Sequence, residues 1–254
     1  MNDERYRAAW KVLDLLEDWL TTGYTRGHPE LILDKAGAGE QGPAGAPVPA
    51  AGVDRPGLLA ALAAEVAACA KCGLSANRNK TVPGEGSLDP EVLFIGEGPG
   101  AEEDRTGRPF VGAAGKYLDT WLPPIGLVRD QCFIANCVKC RPPQNREPHP
   151  DEIGACLPYL ARQITILRPR VICCLGRIAA QTVLRTTASL GELRGRVHQL
   201  PRELLPSDAT AISVVVTYHP SAVLRDKAAL RKPVWDDLKL LKSLLENTNP
   251  KAPR

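Results

Sequence analysis

Four of the eight cysteines are spaced in a way that suits metal chemistry. Cys69 and Cys72 form a C-x2-C pair after a helical run, and Cys140 and Cys156 are separated by 15 residues. A lone C-x2-C serves equally as a redox pair or as half of a zinc site, and Cys140 and Cys156 alone read as ordinary reduced thiols. Taken together, four thiolates suit either zinc or an iron–sulfur cluster, and spacing does not separate the two. Cys173 and Cys174 sit in the apolar run VICCLG and read as buried structural thiols; Cys132 and Cys137 stand outside the set of four. A second group of residues lies where apolar runs stop. EVLFIG ends at Gly96 and gives way to GEGPGAEEDRTGRPF; CFIAN ends at Asn136 and gives way to CVKCRPPQNREPHP; SVVVTYH runs into HPSAVLR. These three loops carry acids, an amide, an imidazole, an aromatic ring and several glycines, which is the equipment of a polar pocket.

The elements that must position these loops alternate. Residues 58–70, 115–122, 150–167, 177–185 and 234–246 read as helices, and 91–96, 132–136, 171–176 and 213–219 as strands. Pro150 and Asp151 mark a helix start, and Pro158 predicts an irregularity within that helix. Short apolar strands separated by helices predict an α/β protein, a three-layer α/β/α sandwich around a mostly parallel sheet of four strands. Ligands of such sheets bind outside the carboxyl ends of the strands, where the three loops converge. Ahead of this body, residues 3–20 read as an amphipathic helix within an appendage over 1–35. Residues 36–57, with 6 Gly, 4 Pro and 6 Ala, read as a linker. The body is expected over 58–246 and a tail over 247–254.

Charge and composition bound the function. Residues 1–56 carry 6 basic and 9 acidic residues, so the excess of positive charge in a chain of net +3 lies in the body. Mild basicity permits a polyanionic partner without demanding one. No run reaches the length of a membrane span, and MNDERYRAAWK lacks the apolar core of a secretory signal, so a cytoplasmic protein without disulfides is expected.

The segments GEGPGAEEDRTGRPFVG, NCVKCRPPQNREPHPDEIGACLPYL and HPSAVLR, in this order with the four cysteines, resemble the family 4 uracil-DNA glycosylases, the iron–sulfur type of the uracil-DNA glycosylase superfamily. The resemblance covers roughly residues 58–246 and leaves the appendage outside. It implies a [4Fe–4S] cluster on Cys69, Cys72, Cys140 and Cys156, and hydrolysis of the N-glycosidic bond of deoxyuridine in DNA. The uracil must then be flipped out of the stack. In that reading Phe110 stacks on the base. Asn136 tells uracil from cytosine through N3–H and O4, and His219 stabilises the charge that builds on O2 of the leaving uracil. Gly96 and Gly98 shape the pocket. Glu97 and Glu103 are the carboxylates nearest the sugar and water; Glu103 is also a candidate for excluding the thymine methyl. The best-known relatives carry an aspartate where this chain has Gly98, which leaves the water-activating acid open between the two.

For grip on DNA the resemblance offers backbone amides at Gly98, Gly100 and Ser221, an apolar wedge at Val223 and Leu224, and phosphate contacts from Arg225, Lys139, Arg141 and Arg146. Each of these residues also has a plainer reading. Phe110 alone is a core ring, Asn136 a turn former, the acids of 102–104 a solvated cap on the next helix, and the arginines a charged face. LRGRVH (193–198) resembles a family segment without a role. The rival functions are a superfamily relative that binds uracil-DNA tightly or covalently without turnover, and a carrier that only holds a cluster. The short interval between Cys140 and Cys156, with His149 its only histidine, argues against the covalent binder. A monomer is expected, with a repair or replication partner on the appendage.

Overall fold

The computed structural model describes residues 54–209 and 211–247. The helix expected over 3–20, nearly all of the linker and the tail lie outside the described residues. The first described helix, α1 (Arg55–Ala67), begins inside the stretch read as linker, because Asp54 caps it: its carboxylate accepts from the Gly57 amide.

Four parallel strands form the centre in the order β3 (Cys132–Asn136), β2 (Val92–Gly96), β4 (Val171–Leu175), β6 (Ser213–Thr217). All but Ser213 of β6 are buried along their whole length, which is why the sequence shows continuous apolar runs instead of alternation. The sheet has six strands, not the four expected. β1 (Glu85–Gly86) and β5 (Val197–Gln199) add to its two edges, each antiparallel to its neighbour. Two- and three-residue strands are too short to show a period, and β5 accounts for part of the unassigned LRGRVH segment.

Alternate side chains feed two cores. On one face Leu93, Ile95, Ile172, Cys174, Val214 and Val216 pack with α4 (Pro150–Leu167) and α5 (Arg177–Leu184). On the other Val92, Phe94, Ile134, Val171, Cys173 and Val215 meet Leu118 of α3 (Ala113–Asp119), and Val234, Leu238 and Leu241 of α8 (Lys227–Asn247). This is the expected three-layer sandwich. Cys173 and Cys174 are buried on opposite faces, and burial raises both thiols well above their usual pKa, in keeping with structural roles. The helix expected at 150–167 runs through Pro158 without interruption. Two of the loops hold short helices, α2 (Ala101–Thr106) and α7 (Pro220–Arg225), and a third short helix, α6 (Leu190–Leu193), precedes β5. The register pairs Gly96 with Asn136 and Leu175 with Thr217, so the carboxyl ends of the strands stop together.

Candidate active site and cysteine pocket

Gly96 lies at the floor of the strand-end crevice. A Cβ on it would stand 2.5 Å from Asn136 Oδ1 and 2.7 Å from the Phe110 ring, so only glycine leaves room for both. The Phe110 ring centroid is 5.6 Å from that of His219. Gly176, at φ +95°, places its α-carbon against His219, where a Cβ would be 3.1 Å from the histidine's own Cβ. The structure thus brings Gly96, Phe110, Asn136 and His219 into one pocket.

Phe110 is held there against its backbone preference, at φ +50°. Four contacts impose this. Glu103 Oε1 accepts from the Val111 and Gly112 amides at 2.9 and 2.8 Å. Arg129 donates to the Pro109 carbonyl at 2.7 Å. Arg108 forks onto Glu85 with both bonds at 2.8 Å. The α-carbon of Gly115 presses on the Phe110 backbone so closely that any side chain would overlap it. The Glu103 carboxylate is therefore occupied by the ring's own loop and is buried, not part of a solvated acidic loop. Asp104, buried beside it, accepts from the amide and side chain of Asn79.

Asn136 is 1% exposed, and among the described residues its Oδ1 has no hydrogen-bond partner. A buried amide oxygen without a donor costs about 1–3 kcal/mol, an arrangement expected where a ligand supplies the donor. His219 presents the complement. The Ser221 amide donates to Nδ1 at 3.2 Å, and a backbone N–H can only donate, so Nδ1 carries no proton and the Ser221 hydroxyl, 2.8 Å away, donates to it as well. Burial, helped by the Arg225 charge, pulls the imidazole pKa down to about 4. At neutral pH the ring is uncharged, with its one proton on Nε2, for which no acceptor stands among the described residues.

Glu97 is the remaining acid. Burial first, and the like charge of Glu147 second, push its pKa up to about 7, while Arg177 opposes them. Glu147 is itself held by Arg177 through two bonds of 2.6 and 2.7 Å. Glu97 thus titrates near neutral pH.

The DNA-side expectations fare unevenly. Ser221 spends both its amide and hydroxyl on His219. Val223 is fully buried in the core under the sheet, so the wedge reduces to the half-buried Leu224. Lys139 does not face solvent: it is 1% exposed and donates to the Asn136 carbonyl at 2.8 Å and Gln163 Oε1 at 2.6 Å, and burial lowers its pKa to about 8. Arg141 donates to Asn145, and Arg146 forks onto Glu152. Arg225 is exposed. Gly98 lies against Val138, and Gly100 against Glu103.

The four cysteines line one cavity behind the base pocket, between the end of α1, the loop after β3 and α4, together with Arg78, Lys139, Glu152 and Tyr159. All eight cysteines are free thiols. Among the described residues, no three His, Cys, Asp or Glu side chains close on a point as ligands of a single ion do. Arg78 donates to Cys140 Sγ at 3.3 Å and to the Cys69 carbonyl at 2.7 Å, and the Lys139 amide donates to Cys156 Sγ at 3.2 Å. Burial raises the thiol pKa of Cys140, and that of Cys156 to about 11. Sequence reasoning missed Arg78, Asn79, Arg129, Glu147 and Arg177. Arg78 reaches Cys140, Asn79 reaches Asp104, Arg129 reaches Pro109 and Glu147 meets Arg177, all far apart in the chain, so no local pattern marks them.

Fold and site together define an α/β sandwich with a polar pocket at the carboxyl ends of a parallel sheet. The family model described as the uracil DNA glycosylase superfamily matches residues 83–239. A type-4 uracil-DNA glycosylase of Pyrobaculum aerophilum is 46% identical over 174 residues, covering 67% of this chain and 86% of that protein. Those of Archaeoglobus fulgidus and Thermotoga maritima are 40% and 41% identical, covering 73% and 74% of this chain and 92% and 95% of theirs. The chain belongs to the uracil-DNA glycosylase superfamily and, within it, to the type-4 uracil-DNA glycosylases.

Proposed function

We propose that the chain excises uracil from DNA as a monofunctional glycosylase, leaving an abasic site. The observation that carries this reading is the buried, unpartnered Oδ1 of Asn136 beside Phe110 and a neutral His219. A flipped uracil brings N3–H to that oxygen and offers O4 to the amide nitrogen of Asn136. Cytosine presents an acceptor at N3 and an amino group at position 4, and leaves both ends of the amide mismatched. Phe110 supplies the flat apolar wall. As the N1–C1′ bond breaks, the electron pair leaves with the uracil and its charge spreads onto O2, where the Nε2–H of His219 donates. The neutral imidazole donates from Nε2 while its unprotonated Nδ1 accepts from Ser221, which fixes the ring toward the developing charge. Water adds its oxygen to C1′, and ionised Glu97 takes its proton and offsets the positive charge of the sugar. Glu103 acts through Phe110, by holding the loop.

Cys69, Cys72, Cys140 and Cys156 fit a [4Fe–4S] cluster. They line one cavity, where Arg78 and the Lys139 amide point donors at two of the sulfurs. When bound, the cluster would cross-link α1, the loop after β3 and α4, without entering the reaction. Leu224 and Arg225 face the DNA, as wedge and phosphate contact. Among the described residues no helix is long and apolar enough to cross a membrane.

The test is a labelled oligonucleotide with one uracil, single-stranded or opposite G or A, treated with alkali after incubation. Strand scission that collapses in Asn136→Ala and His219→Ala supports the reading. A heat-stable shifted band without abasic sites identifies a covalent binder instead.

A further inference from the structure

Lys139 is a buried ammonium in a place where an apolar side chain would cost less. Its two side-chain partners are neutral: the Asn136 carbonyl at 2.8 Å and Gln163 Oε1 at 2.6 Å. Gln163, on α4, turns its other end to the Pro83 carbonyl at 2.6 Å, at the start of the segment leading into β1. The backbone of Lys139 is engaged on both sides as well. Its amide donates to Cys156 Sγ at 3.2 Å, and its carbonyl accepts from Val82 at 2.8 Å. One residue therefore touches the peptide of the base-reading amide, a thiol of the cysteine pocket and the helix that carries that thiol.

Asn136 is the last residue of β3, and past it the chain still bonds toward the β2 side, the Val138 amide to the Glu97 carbonyl at 3.1 Å. The next amide, that of Cys137, still bonds to the Gly96 carbonyl at 2.9 Å, but the carbonyl of Asn136 points away from β2 and takes its donor from Lys139. The side-chain amide leaves the same α-carbon whose carbonyl Lys139 holds, and its Oδ1 packs 2.5 Å from where a Gly96 Cβ would be.

We propose that Lys139 is a positioning residue for base recognition: it sets the Asn136 peptide so that the side-chain amide faces the pocket, and ties that setting to α4 and the cysteine pocket. The inference rests on the reading of Asn136 as the uracil-selecting amide. A misplacement of about 1 Å at such a group costs on the order of 10²-fold in rate.

The experiment is a double-mutant cycle on the full-length, cluster-loaded chain with Lys139→Met, Asn136→Ala and the pair. Calorimetric affinity for free uracil, single-turnover excision and iron per chain are measured on each. Lys139→Met is expected to weaken uracil binding about tenfold and slow excision about 10- to 100-fold with iron content unchanged, and to add less than about twofold in the Asn136→Ala background. Losses that multiply in the double variant, unchanged uracil affinity, or a loss that tracks lost iron would each overturn the proposal. If Lys139→Met does not fold, Gln163→Leu removes one of its two anchors. It should show a several-fold loss with the same lack of additivity, and additive behaviour there counts equally against it. Should Asn136→Ala itself leave uracil affinity and excision intact, the reading of the base pocket fails first. Should Asn136→Ala abolish both while the cycle is additive, only the role of Lys139 fails.

Discussion

Two buried polar sites lie at the strand ends, and they are built on opposite principles. Around Asp237, on α8, every group is answered. Its carboxylate accepts two bonds from Arg194, one from the Gly195 amide and one from the Thr217 hydroxyl at the end of β6. In the base pocket, among the described residues, groups are left waiting: Asn136 Oδ1 has no donor, the His219 Nε2–H no acceptor and the Glu97 carboxylate no donor. The same contrast recurs within one loop, where Glu103 is satisfied by two amides and Glu97 faces the like charge of Glu147. A buried polar group that is satisfied holds the fold; one left open in a pocket is an expense that a ligand or a reaction repays.

The largest effects should separate the two sites cleanly. Asp237→Ala leaves the Arg194 charge and the Thr217 and Gly195 donors without their partner, and should destabilise the fold by about 3–5 kcal/mol in urea melts. Turnover per folded molecule should stay within about tenfold. His219→Ala should do the reverse: excision slowed by about 10²–10³-fold, with little change in the melting midpoint. A fold loss from His219→Ala as large as that from Asp237→Ala would erase the distinction.

Glu97→Gln sharpens it further, because the two readouts should move in opposite directions. An ordinary carboxyl ionises near 4.5 when unfolded, whereas that of Glu97 ionises near 7 when folded. Below pH 4.5 both states hold the proton and Glu97 contributes nothing. Between 4.5 and 7 the unfolded chain ionises first, so the fold loses stability, and above 7 the loss is complete. Glu97→Gln should therefore stabilise the protein at pH 8 by on the order of 1–2 kcal/mol, have no effect at pH 4, and lower excision strongly. In the unaltered chain, single-turnover excision should fall about tenfold per pH unit below pH 7. No second break is expected down to pH 5, since His219 protonates only near 4. A flat profile from pH 5 to 8 would remove Glu97 from the role of base.

Much of this was legible in the sequence because the central strands are buried on both faces. Uninterrupted apolar runs marked all four of them, and the polar residues that stop those runs marked the pocket. Asn136, Phe110 and His219 were visible as strand-end residues, and the structure joins them. The edge strands were not visible, since two or three residues carry no period. The roles of Glu103, Ser221, Val223 and Lys139 were also hidden, for a different reason. Each is polar or apolar in the way a surface or wedge residue is, and only the partner decides: Val111 and Gly112 for Glu103, His219 for Ser221, the core for Val223, and Asn136 and Gln163 for Lys139. Residue type announces what a side chain can do, and long-range packing decides which of those things it does.

The smallest expected effect falls at Arg225, and it tests how far the waiting character of the base pocket extends outward. Arg225 is exposed at the end of α7, and its charge is the second cause, after burial, of the low pKa of His219. Removing it in Arg225→Ala lets the imidazole pKa rise, but burial remains, so His219 stays neutral at pH 7 and the excision step there should change by less than about twofold. Two weaker signals are expected. If Arg225 contacts a phosphate, the slope of log affinity for DNA against log salt should become shallower by about one. At pH 5 the variant should lose more activity than the unaltered chain, because a larger share of its His219 is then protonated and Nδ1 can no longer accept from Ser221. An unchanged salt slope would place Arg225 outside the DNA contact. A loss at pH 7 as large as that of His219→Ala would mean that the imidazole depends on Arg225 more than on burial, and the boundary of the site would move out to the protein surface.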